Sequence, residues 1–88
     1  MASLDHDEKT VNVDFRLDIT GETCPLTFVR TKLLLERMQS GQVAEIRLQG
    51  TEPLDNVPKS VRDHGHTVLS LAPESVGSAV HLLRVRRG

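Results

Sequence analysis

Residues 11–39 read VNVDFRLDITGETCPLTFVRTKLLLERMQ, and the change of period inside this stretch decides the fold. Val11, Val13, Phe15, Leu17 and Ile19 alternate with Asn12, Asp14, Arg16 and Asp18, the period of two expected of a strand with one dry and one wet face. Thr20-Gly21-Glu22-Thr23 breaks the alternation with a glycine suited to a tight turn. From Leu26 the apolar set becomes Leu26, Val29, Leu33, Leu34 and Met38. That spacing predicts a helix from about Pro25 to Gln39 with this set in the core. Pro25 suits the first helical position, where a missing N–H costs nothing and φ is already set, so Cys24 falls at or next to the N-cap. Gly41 predicts the helix stop.

Working outward, Gln42–Gly50 alternates again, with Ala44, Ile46 and Leu48 on one face and Val43, Glu45, Arg47 and Gln49 on the other. Thr51–Leu54 is expected to be a connection, and Asp55 the N-cap of a short helix to about His64 that keeps Pro58 in its first turn. His66–Leu71 predicts a third strand using Val68 and either Leu69 or Leu71, Ala72–Ser78 a turn, and Ala79–Val85 a fourth strand on a sheet edge. The order is βαβαββ. Strands dry on one side only call for two helices covering one face of a four-stranded mixed sheet, an open α/β (α+β) two-layer sandwich.

The chain has 88 residues, enough for one domain and not two. Residues 1–10 read as a polar, acidic leader and residues 11–88 as the domain. With 38% hydrophobic and 26% charged residues and a net charge of −1, the composition is that of a folding globule. Trp and Tyr are absent and Phe15 and Phe28 are the only aromatics, so the chain offers no stacking platform for single strands and no strong attraction to phosphate. Direct nucleic-acid binding is not expected. No stretch approaches the ~18 apolar residues of a membrane span, and the start lacks a signal-peptide pattern. A single cysteine, Cys24, excludes an internal disulfide and a dithiol motif and fits a reducing, cytoplasmic setting.

A sulfur at a helix start lies near unpaired N–H groups and the positive end of the helix dipole, which favour thiolate over thiol and suit nucleophilic sulfur chemistry. Asp18 and Glu22 oppose this if their carboxylates face the sulfur, and Arg30, one turn into the helix, helps if it leans back. The plain alternative is a packed, inert thiol.

The stretch Leu17-Asp18-Ile19-Thr20-Gly21-Glu22-Thr23-Cys24-Pro25, followed by an amphipathic helix, a Gly41 turn and an alternating strand, resembles the TusA/SirA family of small sulfur-carrier proteins over about residues 12 to 86. The resemblance implies that Cys24 carries a persulfide sulfur, with no other cofactor, taken from a cysteine desulfurase or a rhodanese-type donor and passed to an acceptor protein. Pathways of this kind include tRNA thiolation, molybdenum cofactor maturation and sulfur oxidation. A carrier needs a sulfur that is nucleophilic when empty, reachable when loaded, and without a second cysteine to discharge it. Successive transient complexes suit a monomer. The family pattern Cys-Pro-x-Pro here reads Cys24-Pro25-Leu26-Thr27, so Thr27 replaces the second proline and alters the surface beside the sulfur. A reading from another class is a non-catalytic interaction or regulatory module with Cys24 idle or redox-sensing. A thiol hydrolase has little support, because no third group to orient a Cys–His pair is evident.

His64 and His66 flank Gly65 beside Asp63, too few ligands for a structural metal, and either imidazole is a candidate partner for Cys24. No metal is expected. Arg84, Arg86 and Arg87 oppose the acidic leader and read as a frayed, solvated end, with Arg84 and Arg86 on the wet face of the last strand. Leu26, Val29, Leu33 and Met38, imaginable as a partner-binding stripe, are assigned to the core for want of other apolar residues.

Overall fold

The computed structural model describes residues 13–23 and 26–88. Strand β1 (Phe15–Asp18) leads to helix α1 (Leu26–Arg37), strand β2 (Val43–Gln49), helix α2 (Thr51–Asp63) and strands β3 (Thr67–Pro73) and β4 (Val80–Arg86). The sheet order is β1-β2-β4-β3. β1 runs parallel to β2, and β4 runs antiparallel to both of its neighbours. The expected βαβαββ order and mixed two-layer architecture are present, and no helix among the described residues is long and apolar enough to cross a membrane.

β2 follows its alternation from Ala44 onward, with Ala44, Ile46 and Leu48 fully buried under the helices and Glu45 and Arg47 on the open face, whereas Val43, expected on that other face, is also buried. Leu83 and Val85 of β4 join them, with Ile19, Leu35, Met38, Val57 and Val61 completing the core. β4 therefore lies in the middle of the sheet, and the expectation of an edge strand is corrected. The strand that closes the chain inserts between β2 and β3, and its bonded neighbours on both sides explain why its apolar positions are sealed. Nor is the end frayed at Arg87, whose N–H donates to the Gln42 carbonyl while its carbonyl accepts from Gly41 N–H, each at 2.9 Å. Of the two leucines left open for β3, Leu69 is half-buried and Leu71 is 40% exposed, and the register shifts between Val68 and Ser70 so that Leu71 pairs with Leu83.

Both helices depart from expectation. α1 ends at Arg37, and Val11 and Asn12 of the expected first strand lie outside the described residues, as does Pro25. The buried face of α1 is Thr27, Thr31 and Leu35, followed by the buried Met38 just past its end, whereas Leu26, Val29 and Leu33 are 48%, 38% and 52% exposed. Assigning these three aliphatics to the core was wrong. Thr31 can face inward because its Oγ1 donates to the Thr27 carbonyl at 2.8 Å, which satisfies the buried hydroxyl and leaves its methyl to pack. α2 begins at Thr51 rather than after Asp55, and its N-cap is Gly50 at φ 112°, a conformation that favours glycine. Asp55 is not the cap, and Pro58 lies well inside the helix, buried with Pro53, Val57 and Val61. Burial of that stripe outweighs the backbone hydrogen bond that Pro58 cannot make.

Candidate functional site

The connection from β1 to α1 carries the sequence motif, and its described part is held on both sides. Asp18, the last residue of β1, accepts hydrogen bonds through Oδ1 from Thr20 N–H at 3.0 Å and from Thr20 Oγ1 at 2.7 Å, an Asx-type turn that bends the chain away from the sheet. Ile19 N–H still reaches the Arg47 carbonyl across the sheet at 3.1 Å, and Glu22 N–H closes a turn onto the Ile19 carbonyl at 3.1 Å. Leu26 N–H then donates to the Thr23 carbonyl at 2.7 Å, which joins the loop to the start of α1. Cys24 and Pro25 lie outside the described residues.

The two carboxylates that precede Cys24 in the motif each have a cation. Glu22 Oε2 is 2.7 Å from Arg30 Nη1, so Arg30 leans back toward the loop and offsets the charge of an acid two residues before Cys24 in sequence. Asp18 Oδ2 is 2.6 Å from Arg47 Nη1, and Arg47 also grips both oxygens of Glu74 at 2.8 and 2.9 Å. The Thr20 backbone and hydroxyl bonds, followed by Arg47, lower the Asp18 pKa to about 2. Glu74 is lowered chiefly by its hydrogen bonds from Arg47. A chain of charge-assisted bonds thus runs from the segment after β3 through β2 to the loop before Cys24.

Arg47 and Glu74 were not singled out in the sequence, and no local signal marks them. Only the β1–β2 register, which pairs Asp18 with Arg47, brings the first contact about. Gly21 does not adopt a positive φ, and a Cβ there would meet nothing within 4 Å among the described residues, so the turn itself does not demand glycine. Thr27 is buried rather than part of the surface.

The histidines lie in a cleft of about 280 Å³ between α1 and the end of α2. The His64 ring packs on Phe28 with centroids 5.6 Å apart, and its Nδ1–H donates to the Ser60 carbonyl at 2.8 Å. His66 Nδ1 accepts from Gly88 N–H at 3.0 Å, which leaves the proton of the neutral ring on Nε2. Burial, then the nearby charges of Arg87 and His64, push the His66 pKa down. Among the described residues no three His, Cys, Asp or Glu side chains are grouped to hold a metal. Arg84 pairs with Glu45 at 2.9 Å on the open sheet face, beside the Arg16–Glu45 pair at 3.2 Å.

The family model described as Sulfurtransferase TusA matches residues 15–85. A "Putative sulfur carrier protein" of Archaeoglobus fulgidus is 48% identical over 61 residues, 69% of this chain and 67% of that protein. "Putative sulfur carrier protein YedF" of Escherichia coli K12 is 33% identical over 63 residues, covering 72% of this chain and 82% of its own length. The crystal structure of a SirA-like protein from Desulfitobacterium hafniense superposes with a TM-score of 0.71 over 84% of this chain and 97% of its own, at 20% identity, which supports the fold. The match to the family model spans β1 to β4 and includes the whole loop from Asp18 to Leu26, and on that ground the chain belongs to the TusA sulfurtransferase family.

Proposed function

We propose that this protein is a sulfur relay that takes a persulfide sulfur onto Cys24 and hands it to an acceptor protein. The observation that carries the reading is that a chain of this family holds a single thiol, and that thiol falls inside the matched region. Loading is attack by the Cys24 thiolate on the outer sulfur of a donor persulfide, forming a new S–S bond as the donor cysteine leaves as thiolate. Unloading repeats the step in the other direction, with an acceptor thiolate attacking the outer sulfur on Cys24 and Cys24 leaving as thiolate. Electrons and atoms balance without an added oxidant, and the pairing of Glu22 with Arg30 supports the reading by offsetting a carboxylate charge two residues from Cys24 in sequence. The donor is a cysteine desulfurase or a rhodanese-type protein, and the complexes are transient.

Intact-mass spectrometry after incubation with a cysteine desulfurase and cysteine tests this. A one-sulfur increase is expected, removable by a reductant and absent from Cys24→Ser. Loading retained in Cys24→Ser, or absent from the wild-type protein with desulfurase, rhodanese and inorganic polysulfide alike, overturns it.

A further inference from the structure

The cleft between α1 and the end of α2 holds chemistry that the sulfur relay does not use. Phe28, Leu35 and Val61 give it an apolar wall, and its volume of about 280 Å³, small for a ligand pocket, has room for one ring or a short branched chain. Its charges are unevenly matched. Glu36 supplies the one side-chain carboxylate of the lining and is already held by Lys32 at 2.9 Å. Arg87 pairs with no carboxylate side chain among the described residues.

Part of this surplus of donors is structural. Arg87 Nε donates to the Leu35 carbonyl at 2.7 Å and Nη1 to the Gly88 carbonyl at 3.0 Å, while the Gly88 N–H donates to His66 Nδ1 at 3.0 Å. These bonds fasten residues 87 and 88 to α1 and to the start of β3, yet they use only one side of each group. Arg87 Nη2 and the Nε2–H of neutral His66 are left with no acceptor among the described residues, and both side chains line the cleft. Burial first, then the charges of Arg87 and His64, hold the His66 pKa down, as expected of an imidazole with cationic neighbours and no anion of its own.

A guanidinium N–H and an imidazole N–H beside an apolar wall suit the oxygens of a carboxylate whose body packs on that wall. Glu36 in the same lining disfavours a second negative charge on the ligand. We infer that this cleft is a binding site for a small organic monocarboxylate, with its oxygens on Arg87 Nη2 and His66 Nε2–H and its apolar body against Phe28, Leu35 and Val61. The site uses no atom of Cys24, so it stands or falls separately from the carrier reading.

Benzoate and isovalerate titrated into the full chain test this, followed by amide and imidazole NMR, with benzamide as the neutral isostere of benzoate. Saturable shifts are expected at the Phe28 and Val61 amides and on the His66 ring. Benzamide is expected to bind about tenfold more weakly or worse, the loss typical of a missing charge-assisted hydrogen bond. Arg87→Gln is expected to weaken benzoate by a similar factor, whereas Arg84→Gln, which removes a cation from the open sheet face, leaves it unchanged.

Arg87→Gln also loosens the chain end, so the deciding measurement is made on wild type. A carboxylate against Nε2–H favours the charged imidazolium, so saturating benzoate is expected to raise the His66 titration midpoint by about one unit or more, and benzoate binds more tightly as pH falls through that midpoint. Lys32, Glu36, His64 and Arg87 are the other charged or titratable groups in the lining, and the His64 ring is followed separately. Benzamide binding as tightly as benzoate, shifts spread over the sheet arginines, an unmoved His66 midpoint, unchanged affinity in folded Arg87→Gln, or no saturation by either carboxylate each overturns the site and leaves the carrier reading untouched.

Discussion

At Asp18 one side chain does two jobs. Its Oδ1 closes the Asx turn on Thr20 and its Oδ2 meets Arg47, so the carboxylate both bends the chain toward Cys24 and fastens the bend to β2. The depression of its pKa from 3.8 to about 2 comes first from Thr20 and only then from Arg47. Arg47→Gln is therefore expected to raise the Asp18 midpoint only part of the way to 3.8, read from the carboxyl carbon in an NMR titration; a return to 3.8 would show Arg47 to be the dominant partner. Because the folded pKa is the lower one, this contribution to stability is complete above pH 3.8 and is lost as pH falls toward 2. His66 has the same sign at a higher pH. Its pKa lies below the ordinary 6.5, so the folded state resists protonation, and stability that is full above 6.5 declines as the solution is acidified. In His66→Gln, urea titrations across this range are expected to show a shallower acid-side decline; an unchanged slope would place the proton uptake elsewhere. The motif glycine behaves differently from its sequence reading. Gly21→Ala is expected to leave stability within about 0.5 kcal/mol of wild type, since its φ is not positive and its Cβ site is open among the described residues.

For the elements, α1 is the sharpest case. Apolar spacing located the helix, but the choice of buried face assumed that the aliphatic side chains seek the core and that threonine does not. Thr27 and Thr31 are both buried, and Thr31 defeats that assumption through a hydrogen bond from its hydroxyl to the Thr27 carbonyl, a contact invisible to any hydrophobicity pattern. α2 shows the same limit from another direction. Its start was placed at Asp55 to keep Pro58 in the first turn, whereas the Gly50 conformation and the buried stripe of Pro53, Val57 and Val61 set the actual start. The phase of α1 can be measured directly. Leu35 is 3% exposed and Leu33 52%, so Leu35→Ala should cost about 2–4 kcal/mol in urea denaturation and Leu33→Ala about 1 kcal/mol or less. Comparable losses at the two positions would reject the helix orientation.

Across the whole molecule, the two-layer architecture and the motif loop were legible because each depends on local periodicity: two dry-wet strands, a glycine-bearing break and an apolar repeat. Strand order was not, because nothing in Val80–Arg86 says which neighbours it will find. The same blindness hid Arg47 and Glu74, which reach the loop only once β1 is set beside β2 and the segment after β3 is folded over. The sheet order has a consequence for dynamics at the site. β2 and β4 are bonded on both sides and carry Ile46, Leu48, Leu83 and Val85 at full burial, whereas β1 has a bonded neighbour on one side only among the described residues. Opening β1 breaks one ladder and exposes the half-buried Phe15 and Leu17, but opening β4 breaks two ladders and the centre of the core. Native-state hydrogen exchange should therefore find the Ile46, Leu83 and Val85 amides exchanging only through global unfolding, with a steep dependence on denaturant. The Leu17 amide should exchange faster and with a weak dependence on denaturant, the mark of local opening. If Leu17 instead exchanges with the same rate and denaturant dependence as Val85, the sheet opens as one unit and the loop is clamped by the whole fold. The expected gradient would mean that the motif loop is carried on the edge of the sheet that opens first, restrained there by Asp18, Arg47 and Glu74. Arg47→Gln should then speed exchange at Leu17 and leave Val85 limited by global unfolding, which ties the ion-pair chain to the opening of the β1 edge.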